Sequence, residues 1–144
     1  VLDVGCAKGF VVRALRRLGV EAWGIDPSAY AIAHAPEEVR PYVRVGAFLD
    51  AEVEGPFDLV RVDGVMVYMT LTEVRAVLAK AHRIARRLHV ENPTAERILG
   101  LYEARDTSGL DPLRKQELPL ATWGALLGEA GFVPEGRPHV WRAA

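Results

Sequence analysis

The sequence has 144 residues, a length that fits one domain, so residues 1–144 are predicted to form a single domain. Half of the residues are apolar and the formal net charge is −1, which gives no electrostatic reason to expect a nucleic acid partner. No apolar run approaches the roughly 20 residues that a membrane-spanning helix needs, so no membrane association is expected. The single cysteine, Cys6, excludes an internal disulfide and favours a reducing, cytoplasmic setting.

Short apolar runs alternate with amphipathic segments through the first 62 residues. In the first amphipathic segment Val11, Ala14, Leu15 and Leu18 recur at helical spacing, so this face is predicted to be buried. Gly19 predicts the end of that helix. In chain order the predictions are a strand at 1–4, a helix at 10–18, a strand at 20–25, a helix at 29–35, and strands at 42–45 and 57–62.

The second half opens with Thr70, which is followed three residues later by Glu73 and therefore predicts a capping box. Asn92 and Pro93 have the cap-then-proline pattern of another helix start. The helix after Thr70 is predicted to bury Leu71, Val74, Val77, Leu78, Ala81 and Ile84. Beyond it the predictions are a strand at 88–90, helices at 93–105 and 120–130, and antiparallel strands at 132–133 and 139–142.

This alternation predicts an α/β fold with a Rossmann-like, mostly parallel sheet that is flanked by helices and ends in an antiparallel C-terminal strand. Right-handed crossovers then place every strand-to-helix loop at one edge of the sheet. Ligands of such folds bind at that edge, where the strand order reverses.

The loop after the first strand, LDVGCAKGF, has Gly5 and Gly9 between a strand and a helix. Glycine lets the backbone turn sharply and approach a ligand closely, although an ordinary turn would explain the pair as well. Asp26 ends the second strand, 17 residues past Gly9. A carboxylate there can accept both ribose hydroxyls of a nucleoside, and its alternative role is to cap the next helix.

The loop chemistry indicates which nucleoside it binds. A dinucleotide motif needs glycines where this chain has Gly5, Ala7 and Phe10, and Phe10 would prevent close helix–strand packing. The carboxylate of Asp3 would repel a pyrophosphate and attract a sulfonium or an ammonium. No Gly-Lys-Ser/Thr follows the glycines, which excludes a P-loop. The loop therefore suits S-adenosylmethionine (SAM), which has ribose and positive charge but no phosphate.

The segments VLDVGCAKGF, AWGIDPS, FDLVRVDGVMVYM and LLGEAGF resemble successive signature segments of class I SAM-dependent methyltransferases. The resemblance is strongest to bacterial enzymes found alone or fused to glycosyltransferases, and implies a small molecule or glycan precursor as the methyl acceptor. By resemblance, Asp3, Gly5, Cys6, Ala7 and Gly9 line the methionine end of SAM, Asp26 holds the ribose, Ala47 and Phe48 flank the adenine, and Val62 and Asp63 lie near the amino group and the methyl.

The chain departs from the family pattern at four positions and at its start. Ala7 replaces a loop glycine, and Ala47 replaces an acid that contacts adenine in many relatives. Recognition of the base is then expected to rely on backbone groups, or on Asp50 if the loop folds back. Val67 and Tyr68 replace an acid–His pair. Because the sequence begins at Val1 inside the first strand, the N-terminal helix of the family is expected to be missing.

Methyl transfer to a hydroxyl would gain from a general base. Asp63, Tyr68 and Glu91 are the predicted catalytic residues, because each follows or adjoins a strand end. His89 shares a strand face with Glu91. The alternatives are that Tyr68 packs in the core and that His89 makes a structural hydrogen bond.

The other histidines, His34, His82 and His139, show no metal-ligand spacing, so no metal is predicted. Residues 91–121 are expected to shape the acceptor site, although a solvated loop explains Asp111, Arg114 and Lys115 equally well. Two other functions remain open: a SAM-binding module without catalysis, and an NAD-dependent oxidoreductase. The sequence does not indicate an oligomeric state.

Overall fold

One sheet organises the residues that the computed structural model describes, which are 1–92, 115 and 118–144. Seven strands form it in this part of the chain, each rich in apolar and β-branched residues. They are β1 (Leu2–Val4), β2 (Trp23–Asp26), β3 (Val43–Val45), β4 (Val60–Asp63), β5 (Arg87–Glu91), β6 (Phe132–Pro134) and β7 (Val140–Ala143).

The strand order is β3-β2-β1-β4-β5-β7-β6. Strands β1 to β5 are parallel to one another, whereas β7 is antiparallel to both β5 and β6. The order reverses between β1 and β4, which is where an open parallel sheet forms a ligand crevice. The predicted α/β fold with its antiparallel C-terminal strand is confirmed.

Four α-helices flank the sheet in the described residues, and none is long and apolar enough to cross a membrane. Short 3₁₀ turns lie at Arg40–Tyr42 and Met66–Tyr68. The helices are α1 (Phe10–Arg17), α2 (Ala29–Ala33), α3 (Leu71–Ile84) and α4 (Leu120–Glu129).

The core has two parts. The larger part joins apolar residues of β1, β4 and β5 to α3 and α4, with Val60, Val62 and Leu88 fully buried. The smaller part packs Val12 of α1 with Cys6 and Val43. Together these parts hold the carboxyl ends of the parallel strands in a fixed arrangement, and the loops of the candidate site start there.

Two strand predictions began too early. The strand predicted from residue 20 begins at Trp23, and the strand predicted from residue 57 begins at Val60. Phe57 instead forms an isolated bridge with Ala85. Its amide donates to the carbonyl of Ile84 and its carbonyl accepts from Arg86, so this apolar residue pairs outside the strand.

The buried face predicted for α1 is wrong in part: Leu15 packs against the smaller core, but two of the four predicted residues are exposed. Val12 is fully buried, whereas Leu18 is 79% exposed and Ala14 is also exposed. The helix ends at Arg17, so Leu18 lies beyond its last turn. Leu71 is likewise exposed rather than buried, because it is the first residue of α3 and precedes the turn that packs on the sheet.

Part of the second half lies outside the described residues, including the predicted helix at 93–105, Asp111 and Arg114. Lys115 is described, and its amide donates to the carbonyl of Val67. Trp123 is buried in the larger core, whereas Trp23 is 40% exposed at the start of β2.

The predicted capping box at the start of α3 is confirmed. Thr70 accepts the amide hydrogen of Glu73, and Glu73 accepts from the amide of Thr70 at 2.6 Å. Replacing Thr70 with alanine should lower the free energy of unfolding by about 1 kcal/mol. Urea unfolding measures this, with Thr72→Ala on the same exposed turn as control. Equal stability of the two variants would contradict a capping role.

Candidate functional site

The carboxyl ends of three parallel strands place acidic side chains along one edge of the sheet. Asp26 is the last residue of β2, Asp63 of β4 and Glu91 of β5. Asp63 and Glu91 are register partners. Gly5 follows β1 between them and Asp26, so the candidate residues predicted from separate segments meet at the reversal of strand order.

The loop after β1 has an unusual backbone. Gly5, Ala7 and Gly9 have φ angles of 76°, 47° and 72°, in the left-handed region that favours glycine. The amides of Gly5 and Cys6 both donate to the carbonyl of Ile25, at 2.8 and 3.2 Å. The loop is therefore curled against the end of β2.

Asp26 joins two loops with one carboxylate. Its Oδ2 accepts the amide hydrogen of Ala7 at 2.8 Å, and its Oδ1 accepts that of Ser28 at 2.8 Å. The cap of α2 is Ser28, which accepts from Ala31, so the alternative reading of Asp26 as the helix cap is wrong. The acid instead faces the glycine loop, and each oxygen retains a free lone pair for a ligand.

The loop after β3 depends on a lysine that sequence reasoning missed. The ammonium of Lys80, on α3, donates to the carbonyls of Phe48, Leu49 and Ala51 at 2.5, 3.2 and 2.6 Å. Partial burial lowers the pKa of Lys80. Phe48 itself is buried in the larger core, while Ala47 is half-buried. Lys80 of α3 therefore anchors the loop that is predicted to flank the adenine.

Asp3 is the only buried charged residue among the described ones, at 1% exposure. Its Oδ1 accepts a hydrogen bond from Nη1 of Arg61 at 2.9 Å, and Nη2 of Arg61 donates to Oδ2 of Asp63. Sequence reasoning missed Arg61, because nothing in the chain indicates that a residue 58 positions away would meet Asp3. The predicted contact of Asp3 with SAM stays a prediction.

Burial raises the pKa of Asp3, and the hydrogen bond from Arg61 only partly opposes this. Since the folded-state pKa lies above the unfolded value, the folded state binds the proton more tightly, and stability falls as pH rises through that interval. The free energy of unfolding of the wild type, relative to Asp3→Asn, should therefore fall as pH rises above about 4. Urea unfolding over a pH series measures this difference. A difference that rises with pH would show that Arg61 outweighs burial.

The other predicted residues vary in exposure. Cys6 is buried, and burial raises its pKa to about 12, so the thiol is not a nucleophile at neutral pH. Val62 is fully buried in the core. Tyr68 is 39% exposed in its 3₁₀ turn, so the alternative that it packs in the core is wrong.

His89 lies next to Arg61 in register, two residue pairs before Asp63 and Glu91. Its Nδ1 is buried and has no hydrogen-bond partner among the described residues, so the expected structural hydrogen bond is not found at that atom. Burial, followed by the charge of Arg61, lowers the pKa of His89. The ring is therefore neutral at pH 7.

A cavity of about 1060 Å³ lies at the opposite edge of the sheet. Leu2, Trp23 and Val43, which begin β1, β2 and β3, line it. Because the candidate residues are at the carboxyl ends of the same strands, this cavity is not part of the candidate site.

Comparison with known families matches residues 1–87 to a model described as a methyltransferase domain. The chain belongs to the methyltransferase domain family. The matched region includes the first loop, Asp26, Asp63 and Tyr68. A comparison with curated proteins finds no match.

Solved structures of methyltransferases share the fold. A SAM-dependent methyltransferase from Archaeoglobus fulgidus is 20% identical with a TM-score of 0.74, covering 92% of this chain and 60% of that one. The magnesium protoporphyrin IX methyltransferase from Synechocystis, with bound S-adenosylhomocysteine (SAH), is 22% identical with a TM-score of 0.72. The match covers 91% of this chain and 63% of that one. A SAM-dependent methyltransferase from Methanosarcina mazei is 16% identical with a TM-score of 0.77, covering 99% and 91%. The chain thus spans about 60% of the Archaeoglobus protein's length.

Proposed function

We propose that this methyltransferase domain transfers the methyl group of SAM to a small molecule or glycan precursor. The observation that supports it best is the carboxylate of Asp26, which binds the amide of Ala7 and so fixes an acid beside the glycine-lined loop. The carboxylate and the loop are joined by this hydrogen bond and lie where the strand order of the sheet reverses. That combination suits a nucleoside without phosphates.

The described residues fit each part of SAM. Asp26 accepts the ribose hydroxyls through the lone pairs that Ala7 and Ser28 leave free. The left-handed loop of Gly5 to Gly9 lies against the methionine end, where its backbone leaves room for the ligand. The segment at Ala47, held through Lys80, borders the adenine.

The charge of this edge favours a cationic ligand. Asp26, Asp63 and Glu91 place three carboxylates at the carboxyl ends of β2, β4 and β5. Lys8 in the first loop and Arg61 of β4 add two positive charges, which the four acids, Asp3 included, outnumber. A sulfonium and an α-ammonium gain from this field, whereas the phosphates of a dinucleotide are repelled.

SAM itself supplies an activated methyl group, so the protein's main task is alignment. Orientation of two reactants can contribute roughly 7–11 kcal/mol without a catalytic side chain. Glu91, the register partner of Asp63 at the strand ends, is the proposed proton acceptor for a hydroxyl, with Tyr68 exposed on the neighbouring turn.

Calorimetry with SAM and with SAH tests the proposal, together with a mass-spectrometric screen for SAH formation. The acceptor panel should include monosaccharides, sugar phosphates and nucleotide-linked sugars, with DNA and RNA as negative controls. Saturable binding of both cofactor forms, and SAH production with at least one sugar acceptor, are expected. Failure of the protein to bind either form at millimolar concentration would refute the proposal.

A non-catalytic SAM-binding module is the second candidate, because Val67 and Tyr68 replace the acid–His pair of the family pattern. Both candidates bind SAH, but only the enzyme forms it. Membership of the methyltransferase domain family counts against the NAD-dependent oxidoreductase. Saturable NAD binding in the same calorimeter would reverse that judgement.

The composition of the chain bears on the class of methyl acceptor and on the cellular location. The balanced charge of the chain supports a small molecule or glycan precursor over a nucleic acid as the acceptor. The single cysteine supports a cytoplasmic setting.

A further inference from the structure

One guanidinium links two acids on neighbouring strands. Asp3 of β1 is the register partner of Arg61 of β4, and Asp63 lies two residues beyond Arg61 on the same face of the strand. Arg61 donates from Nη1 to Asp3 and from Nη2 to Asp63. Its two terminal nitrogens therefore serve two different carboxylates.

Exposure increases along this chain of charges towards the edge of the sheet. The side chain of Asp3 is 2% exposed, that of Arg61 24% and that of Asp63 28%. Asp3 is thus shielded from any ligand that binds at the strand ends. Asp63 is accessible, and its Oδ1 has no hydrogen-bond partner among the described residues.

The two acids that Arg61 links, Asp3 and Asp63, have different roles in the site. A buried carboxylate is tolerated only when it is paired, so Asp3 holds Arg61 in one place on the sheet. A guanidinium that is fixed at one end offers its other nitrogen in a fixed direction. The carboxylate of Asp63 is therefore restrained before any ligand arrives, which reduces the ordering cost of binding.

We propose that Arg61 is a positioning residue that holds Asp63 so that its free oxygen accepts from the α-ammonium of the bound cofactor. Asp3 acts one step further away, by holding Arg61. In this arrangement neither Asp3 nor Arg61 contacts the cofactor, which replaces the contact between Asp3 and SAM that the family resemblance implies. This inference rests on the proposed function, since it assigns a part of SAM to a residue of the same site.

Affinity measurements on a double-mutant cycle test the inference, with SAH as the probe. Arg61→Gln and Asp63→Asn should each weaken SAH binding about tenfold, because both remove an oriented carboxylate. The variant with both changes should bind no more weakly than Asp63→Asn, because Arg61 acts through Asp63. Additive losses would mean that Arg61 contacts SAH directly, which would overturn the inference.

Methylthioadenosine separates positioning from general damage, because it has the nucleoside of SAH but no amino acid group. Arg61→Gln should leave the affinity for methylthioadenosine within about twofold of the wild type while SAH binding falls. Equal losses for both probes would show that the substitution disturbs the whole site, and would overturn the inference.

Arg61→Gln leaves Asp3 buried without its partner, so the variant can lose stability. The double variant Asp3→Asn with Arg61→Gln replaces both charges with amides and avoids an unpaired buried charge. It should unfold in urea close to the wild type and still bind SAH about tenfold more weakly. Wild-type affinity in this folded variant would overturn the inference.

Arg86→Gln is the matched control. It removes an arginine–aspartate pair with Asp58 at 3.3 Å, in which both side chains are more than 70% exposed. SAH affinity should not change. If the wild type fails to bind SAH, the proposed function falls and this inference with it. If the wild type binds and Arg61→Gln binds equally well, only this inference falls.

Discussion

Asp26→Asn is expected to weaken SAH binding about 100-fold, the largest loss of affinity from any single substitution proposed for this site. The carboxylate accepts amide hydrogens on both oxygens, from Ala7 and from Ser28. Asparagine offers only one oxygen. Its amide nitrogen would therefore face one of these donors, and that backbone amide would lose its partner.

The loss combines two effects of similar size. One is the weaker acceptance of the ribose hydroxyls, because hydrogen bonds to a charged group contribute about 1.5–3 kcal/mol. The other is release of the first loop, since the contact between Ala7 and Asp26 ties it to the end of β2. A tenfold change in affinity corresponds to about 1.4 kcal/mol, so the two effects together account for the expected value.

Calorimetry with SAH measures the loss, and Asp58→Asn is the control. Asp58 is a largely exposed acid just before β4, so its replacement keeps the same chemical change away from the carboxyl edge. Its SAH affinity should equal that of the wild type. An Asp26→Asn protein that bound SAH as tightly as the wild type would remove the acid from the proposed ribose site.

Much of the architecture could be predicted because the responsible signals are local. The apolar run before Gly5 and the run that ends at Asp26 become β1 and β2, and Thr70 with Glu73 begins α3 as expected. Strand ends that carry acids then meet at one edge, because parallel strands connected by right-handed crossovers share their carboxyl side. The meeting of Asp26 and Asp63 at the site follows from this geometry.

What could not be predicted depends on contacts between distant segments. Arg61 looks like a polar interruption of an apolar strand, and its pairing with Asp3 requires the register of β1 against β4. Lys80 looks like an ordinary charge on an amphipathic helix, yet it binds three carbonyls of a loop about 30 residues earlier in the chain. The face of α1 was misassigned because periodicity identifies an apolar stripe but not which side meets the sheet.

Gly24→Ala is expected to lower the free energy of unfolding by about 1–3 kcal/mol through overpacking. Gly24 lies in the middle of β2, directly beneath the first loop. A Cβ atom there would lie 2.6 Å from Sγ and 2.7 Å from Cβ of Cys6, and 3.0 Å from a methyl group of Val12. The Cβ of Cys6 is attached to the backbone, so the loop itself must shift.

That shift links stability to binding. Cys6 lies between Gly5 and Ala7, whose amides anchor the loop to Ile25 and to Asp26. Moving Cys6 outward strains both hydrogen bonds, so SAH affinity should fall about tenfold together with the stability. Urea unfolding and calorimetry on the same preparation measure the two effects.

Gly128→Ala is the matched control, because it makes the same chemical change at an exposed position of α4 where a Cβ meets nothing within 4 Å. Alanine is the better helix former, so this variant should gain up to about 1 kcal/mol and bind SAH normally. Adding Cys6→Gly to Gly24→Ala removes both clashing atoms of the cysteine and should restore part of the lost stability. If the double variant is no more stable than Gly24→Ala, then close packing of the first loop on β2 is not the reason for glycine at this position.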